Sequence, residues 1–308
     1  MGVFAVSFCV KHVDVFQNSV LSLFNFENTY TIPCKIIGVL LLIANVFLFD
    51  YITTSQELTD KSNHVPAFLL GLYLIYALVE NPLNPQLFAQ LLLTFSYGRY
   101  ISTYRVERAA PNVFDGTFCL SCAVIIYPPY WVFFALGLIS LAVLRAFNLR
   151  EYSLVLVGLA LPYLFYYTVL FLCDQSLQKP IQDISNSFHS PAVPEYFKGS
   201  FLINFTSVLV IIFTIFFFIK KGTLSGRIKT QKALTVFLWA LLPCAVAIFI
   251  TQNHYVVTAR MAVMPLSLFA GIYFGMAKRR ILAEILLVLL TIMVVLSTLQ
   301  HAEIINLL

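Results

Sequence analysis

Residues 233–252 read ALTVFLWALLPCAVAIFITQ and contain no charged side chain. Residues 201–219, FLINFTSVLVIIFTIFFFI, contain none either, and residues 281–299, ILAEILLVLLTIMVVLSTL, contain only Glu284. About 20 apolar residues at 1.5 Å rise cross a hydrocarbon core of about 30 Å, so runs of this length read as membrane spans. The runs are continuous rather than alternating. They predict helices, which satisfy their own backbone hydrogen bonds in lipid. The whole chain agrees: 60% of its 308 residues are hydrophobic, 11% are charged, and the mean hydropathy is +0.88. Soluble domains carry about 25% charged residues. A soluble fold of this length would have too little polar surface to cover its apolar side chains.

Working outward, the pattern predicts an all-α, polytopic transmembrane helical bundle of ten spans, at 34–51, 65–79, 86–101, 113–127, 130–145, 152–173, 201–219, 233–251, 256–276 and 281–299. These make a single helical domain over 34–308. Spans two to five are short and come as two tight hairpins. One turns at residues 80–85, ENPLNP, and the other at 127–131, YPPYW. Such hairpins cross incompletely only where protein or a wet cavity receives their ends. The N-terminal segment, 1–33, differs. Residues 2–10 are apolar, but Lys11, His12 and Asp14 stop the run. It lacks the basic start and small-residue cleavage site of a signal peptide. Two readings stand: an interfacial amphipathic helix, or the truncated remainder of a longer first span.

Lys and Arg prefer short cytoplasmic loops. One set of alternate connections holds Lys61, Arg99, Arg105, Arg108, Arg145, Arg150, Lys220, Lys221, Arg227, Lys229, Lys232, Lys278, Arg279 and Arg280. The opposite set holds only Lys179 and Lys198. The alternation places both termini on the non-cytoplasmic side. It also explains the net charge of +5 without a nucleic-acid partner. The basic stretch 220–227, KKGTLSGR, lacks the residue order of a phosphate loop, and topology with anionic lipid accounts for it. Tyr97, Tyr100, Tyr104, Tyr127, Tyr130 and Trp131 sit near expected span ends, where interfacial anchoring is the expected role. Asp115 is expected to pair with a nearby arginine, and Asp50 to pair or snorkel.

Candidate chemistry gathers on the non-cytoplasmic side. Arg260 falls within the ninth span, where a charge near a helix centre costs at least about 2.5–3.5 kcal/mol on insertion scales. It reads as an anion clamp for phosphate or carboxylate, with snorkelling to the interface as the alternative. His254 and Asn253 form the turn before it, Glu80 ends the second span, and Asp174 ends the sixth. A carboxylate beside His and Arg can serve as general base with an electrostatic clamp, whereas ordinary polarity at helix ends explains each residue singly. The six cysteines lie mostly in apolar runs, and the Cys119–Cys122 spacing has no second pair, so no metal or cofactor is expected.

Two stretches are familiar: residues 112–117, NVFDGT, with the aromatic turn and residues 131–136, WVFFAL; and residues 260–270, RMAVMPLSLFA. Together they resemble an uncharacterised family of bacterial multi-pass inner-membrane proteins. The resemblance implies a bacterial inner-membrane location and no particular activity. The short hairpins and the Tyr-Pro-Pro-Tyr turn are more distantly similar to the membrane module of lipid-linked glycosyltransferases and polysaccharide polymerases. That similarity implies an acidic base in the first outer loop, where Asp14 or Glu27 would stand. The expectation is a cell-envelope membrane protein acting on a lipid-linked or anionic substrate at the outer leaflet. A non-catalytic subunit bound to other membrane proteins, and a transporter, are the alternatives. Whether the chain is an enzyme stays open.

The orientation has a direct test. In a background with the native cysteines replaced, Ser225→Cys is expected to react with a membrane-impermeant maleimide only after the membrane is opened. Reaction in intact cells would reverse the assignment of every connection.

Overall fold

The structure, a computed structural model, describes residues 32–59, 63–80, 84–189, 228–250 and 262–276, with 281, 284, 285, 287–289, 291 and 292. Among these, all regular structure is helical and no strand occurs. The helices are α1 (Ile32–Ser55), α2 (Val65–Glu80), α3 (Pro85–Ile101), α4 (Ala110–Ile126), α5 (Phe134–Leu144), α6 (Leu149–Leu172), α7 (Lys179–His189), α8 (Ile228–Ile250) and α9 (Val263–Met276). A 3₁₀ turn, Pro128–Phe133, joins α4 to α5. Each expected span that falls on described residues coincides with helix. The seventh lies outside the described residues, and the ninth and tenth are described in part. Among the described residues, two helices, Lys35–Ser55 and Leu149–Leu172, are long and apolar enough to cross a membrane. In each, only 28% of the apolar window is buried inside the protein. The core helix of a soluble fold buries most of its apolar face; here Phe47, Leu156, Leu164, Phe165 and Phe171 point outward.

Local chemistry sets the helix ends. Asn84 caps α3 by accepting from the Gln86 amide at 3.0 Å, with Pro85 at the first helical position, where its missing N–H costs nothing. Asn148 caps α6 in the same way, accepting from Arg150 N. Pro162 and Pro243 lie inside α6 and α8. Pro265 falls in the first turn of α9 as described, where no intrahelical donor is lost.

Close packing joins α3, α4, α5 and α6 through small residues. A side chain at Gly158 of α6 would strike the Thr117 hydroxyl of α4. One at Gly116 would meet the Tyr100 ring at 3.2 Å, and one at Gly137 the Tyr100 hydroxyl at 2.8 Å. Hydroxyls bond across the same contacts: Ser96 Oγ donates to Gly116 O at 2.8 Å, and Ser121 Oγ donates to Leu159 O at 2.7 Å. Small residues that admit close backbone approach, with Ser and Thr as polar glue, are how helices associate where burying apolar surface gains little.

The bundle has two unlike ends. At one, the α1–α2, α3–α4 and α5–α6 connections meet the start of α8. There Asp50 pairs with His64 at 2.8 Å and Asp115 with Arg99 at 3.6 Å, as the sequence leads one to expect. Arg145 is more than a topological charge. Its Nε lies 2.8 Å from the buried Glu151 carboxylate, and its Nη1 donates to Thr103 O and Val106 O. It staples the α3–α4 loop to the α5–α6 loop. Asn63 accepts from Val65 N and donates to Gly271 O, tying α2 to α9. Thr230 of α8 donates to Glu57 O, and Lys232 lies over the Tyr104 ring. Tyr104 is thus a half-buried edge residue, while Tyr97, Tyr100 and Tyr130 are fully buried rather than interfacial anchors.

Because Thr117 has no room to retreat, Gly158→Ala is expected to lower stability by about 1–3 kcal/mol. Thr117→Ala in the same background should recover part of that loss. Thermal unfolding of the purified protein in detergent measures both, and an unchanged midpoint for Gly158→Ala would refute this packing.

Candidate functional site

At the other end of the bundle, α3 presents polar groups to the interior. Gln86, Gln90, Thr94 and Tyr97 recur at spacings of four, four and three, so they share one face of the helix. All four are buried, between 0 and 2% exposed. The Gln90 side-chain oxygen accepts from the Tyr130 hydroxyl at 2.8 Å, fastening α3 to the 3₁₀ turn. Thr94 donates to Gln90 O and lies 3.8 Å from Met264 Sδ of α9. The Tyr97 ring stacks on Phe237 of α8, with centroids 4.7 Å apart and planes 3° from parallel. Asn45 of α1 donates to Leu41 O and to Leu87 O at 3.0 Å. The seam therefore touches α1, α8, α9 and the turn.

Its hydrogen bonding is incomplete. Gln86 Oε1, Gln90 Nε2, Asn45 Oδ1 and the Tyr97 hydroxyl are buried without a protein partner. A buried polar group left unsatisfied costs about 1–3 kcal/mol. Four in one seam are expensive for a domain whose net stability is about 5–15 kcal/mol. Native proteins retain such groups where water, an ion or a ligand completes them.

The residues singled out from the sequence stand apart from this seam. Glu80 is the last residue of α2. Asp174 follows the C-terminal cap of α6, exposed and in a left-handed conformation with φ 52°. Arg260, His254 and Asn253 lie outside the described residues. No contact among these five is part of the described structure. Glu80 and Asp174 do stand at the bundle end that carries the Tyr130–Gln90 bond, opposite the Arg145 staple. Among the described residues, no three His, Cys, Asp or Glu side chains converge as metal ligands do. Cys119 and Cys122, one turn apart on α4, are free thiols.

The seam itself went unread in the sequence. Its signal was present: glutamines four residues apart in PQLFAQLLLT, followed by a threonine at the same spacing. A polar stripe at helical period within an apolar helix marks an inward face.

These features define a helical protein with an apolar exterior and an uncharged polar seam inside. The chain belongs to the family of unknown function DUF6427, which matches residues 4–308. No curated protein and no solved structure matches it.

Removing one partner of the buried bond should be worse than removing both. Tyr130→Phe is expected to cost about 1–3 kcal/mol by stranding the Gln90 oxygen. Gln90→Leu combined with Tyr130→Phe should lie closer to the wild type than the sum of the single effects. A double-mutant cycle on thermal midpoints checks this, and strict additivity would mean the pair is not coupled.

Proposed function

We propose that this chain is a multi-pass protein of the bacterial inner membrane, with ten spans and both termini non-cytoplasmic, that binds an anionic lipid-linked substrate at the outer-leaflet end of its bundle. The outward-facing apolar side chains of α1 and α6 support the membrane reading. The alternating basic loops support the orientation.

One observation carries the substrate reading. Three carboxylates at the basic end have close basic partners: Asp50 has His64, Asp115 has Arg99 and Glu151 has Arg145. The opposite end joins helix termini bearing Glu80 and Asp174 to a buried polar seam. The sequence adds Arg260 just before Ala262 and Met264, both of which lie in the core. A guanidinium at this point in the sequence would hold a phosphate whose lipid tail stays in the bilayer. His254 and Asn253 would add donors, and Glu80 or Asp174 would supply a carboxylate. In a glycosyltransferase-like reaction, one carboxylate would take the proton of an acceptor hydroxyl as its oxygen bonds to the anomeric carbon, and Arg260 would stabilise the phosphate that leaves as the glycosyl–phosphate bond breaks.

Farnesyl phosphate and farnesol in mixed micelles separate charge recognition from tail binding. The wild type should bind the phosphate about 10–100-fold more tightly, the range of a charge-assisted hydrogen bond. Arg260→Gln should abolish the difference while leaving farnesol binding unchanged. Equal binding of both probes by the wild type would refute the clamp.

A further inference from the structure

The seam on α3 has a chemistry of its own, independent of any anion bound at Arg260. It holds no formal charge, and a bare ion would satisfy only its donors or only its acceptors. Its unpartnered atoms are of both kinds. Gln86 Oε1 and Asn45 Oδ1 need donors, Gln90 Nε2 needs an acceptor, and the Tyr97 hydroxyl can be either. With Gln90 oriented to accept from Tyr130, the set requires a partner of both kinds. The guest must therefore donate and accept at once, as a hydroxyl group does.

Spacing agrees. Gln86 and Gln90 stand one helical turn apart, about 5–6 Å between Cβ atoms, so a single oxygen can bridge their amides. Gln90 is already oriented by its bond to Tyr130. The Tyr97 ring is fixed by the Phe237 stack, and its hydroxyl has Cys244 and Tyr130 as electrostatic neighbours. Cys244 bonds its own helix, with Sγ donating to Ala240 O at 3.4 Å, and so does not satisfy Tyr97. Gln90 and Tyr97 are thus held in place, while buried polar atoms of the seam lack partners.

We propose that Gln86, Gln90, Tyr97 and Tyr130 form a buried, uncharged binding site for hydroxyl groups, filled either by water or by the hydroxyls of a glycosylated amphiphile.

X-ray hydroxyl-radical footprinting tests the site on the delipidated wild-type protein in a hydroxyl-free detergent such as lauryldimethylamine oxide. Radicals formed from bound water modify the side chains beside it, whatever their exposure. Tyr97 and Tyr130 should be modified about tenfold or more faster than Phe269, an equally enclosed aromatic at 2% exposure, and at a rate near that of exposed Tyr51. Octyl glucoside and octyl phosphate then distinguish the sources. Protection of both tyrosines by the glucoside alone assigns the site to sugar hydroxyls. Unchanged modification with either additive assigns it to water. Rates for Tyr97 and Tyr130 no faster than that of Phe269 would mean a dry seam and overturn the proposal. The measurement does not involve Arg260, so loss of farnesyl phosphate selectivity and loss of radical modification are separate failures.

Discussion

Close approach of helix backbones at Gly116, Thr117, Gly137 and Gly158 is the constraint on which the rest of the bundle depends. Where lipid tails surround a protein, burying leucine against leucine gains little over burying it against lipid. Helix association then rests on van der Waals contact and on hydrogen bonds between helices. The small residues supply the first by letting α4 and α6 touch, and by making room for the Tyr100 ring and hydroxyl. Ser96 and Ser121 supply the second by donating to backbone carbonyls of neighbouring helices. Their donors are satisfied at sites where the carbonyls already serve their own helices, so neither side leaves a group stranded. The outward leucines and phenylalanines of α1 and α6 contribute nothing to this cohesion.

Charge is arranged by cost. The Arg145–Glu151 pair is partly enclosed, and its Coulombic gain in such a setting is offset by desolvation. What makes the site work is completeness: Arg145 also donates to two loop carbonyls, so its donors are spent on connecting two loops. Glu151 sits in the first turn of α6, where the helix dipole favours a negative charge. Truncating Arg145 would therefore leave a buried carboxylate and two carbonyls exposed together. Arg145 is a structural clasp, committed to Glu151 and two loop carbonyls.

Helix positions were legible in the sequence because each apolar run ends at a readable signal. Asn84-Pro85, Tyr127-Pro128 and Asn148 stand where helices end or begin. The pairing of Asp115 with a nearby arginine was legible because both stand at the same short connection, whereas His64 as the partner of Asp50 was not read from the sequence. Side-chain depth was not. Tyr97 and Tyr100 stand near the end of α3 and looked like interfacial anchors, yet Phe237 covers the first and Gly116 and Gly137 make space for the second. Which neighbour covers a residue is a long-range fact, and no local pattern encodes it. Arg145 was misweighted in the same way: a positive charge in a short loop fits topology, and only the fold brings Thr103 and Val106 within its reach. Of the proposed outer site, Glu80 and Asp174 were placed at helix ends as the pattern implied. Arg260, His254 and Asn253 lie outside the described residues.

The seam and the proposed anion site fit one ordering of free energies. An unpaired charge deep in the bundle would be intolerable, whereas a neutral amide or phenol costs little once a hydroxyl partner completes it. A protein that holds an amphiphile with a charged head and a neutral polar portion thus has reason to separate the two tasks by depth. Cations belong near the rim, where water and headgroups share their solvation. Uncharged donors and acceptors can go further in, because each water or sugar hydroxyl they meet returns what burial removed. On α3 the sequence runs in that order, from the Asn84 cap through Gln86 and Gln90 to Thr94 and Tyr97. Polarity falls with each turn away from the helix end, from an amide cap to amides, then to a single hydroxyl and an aromatic ring stacked on another. A helix serving only as packing would have no reason to grade its buried face in this way.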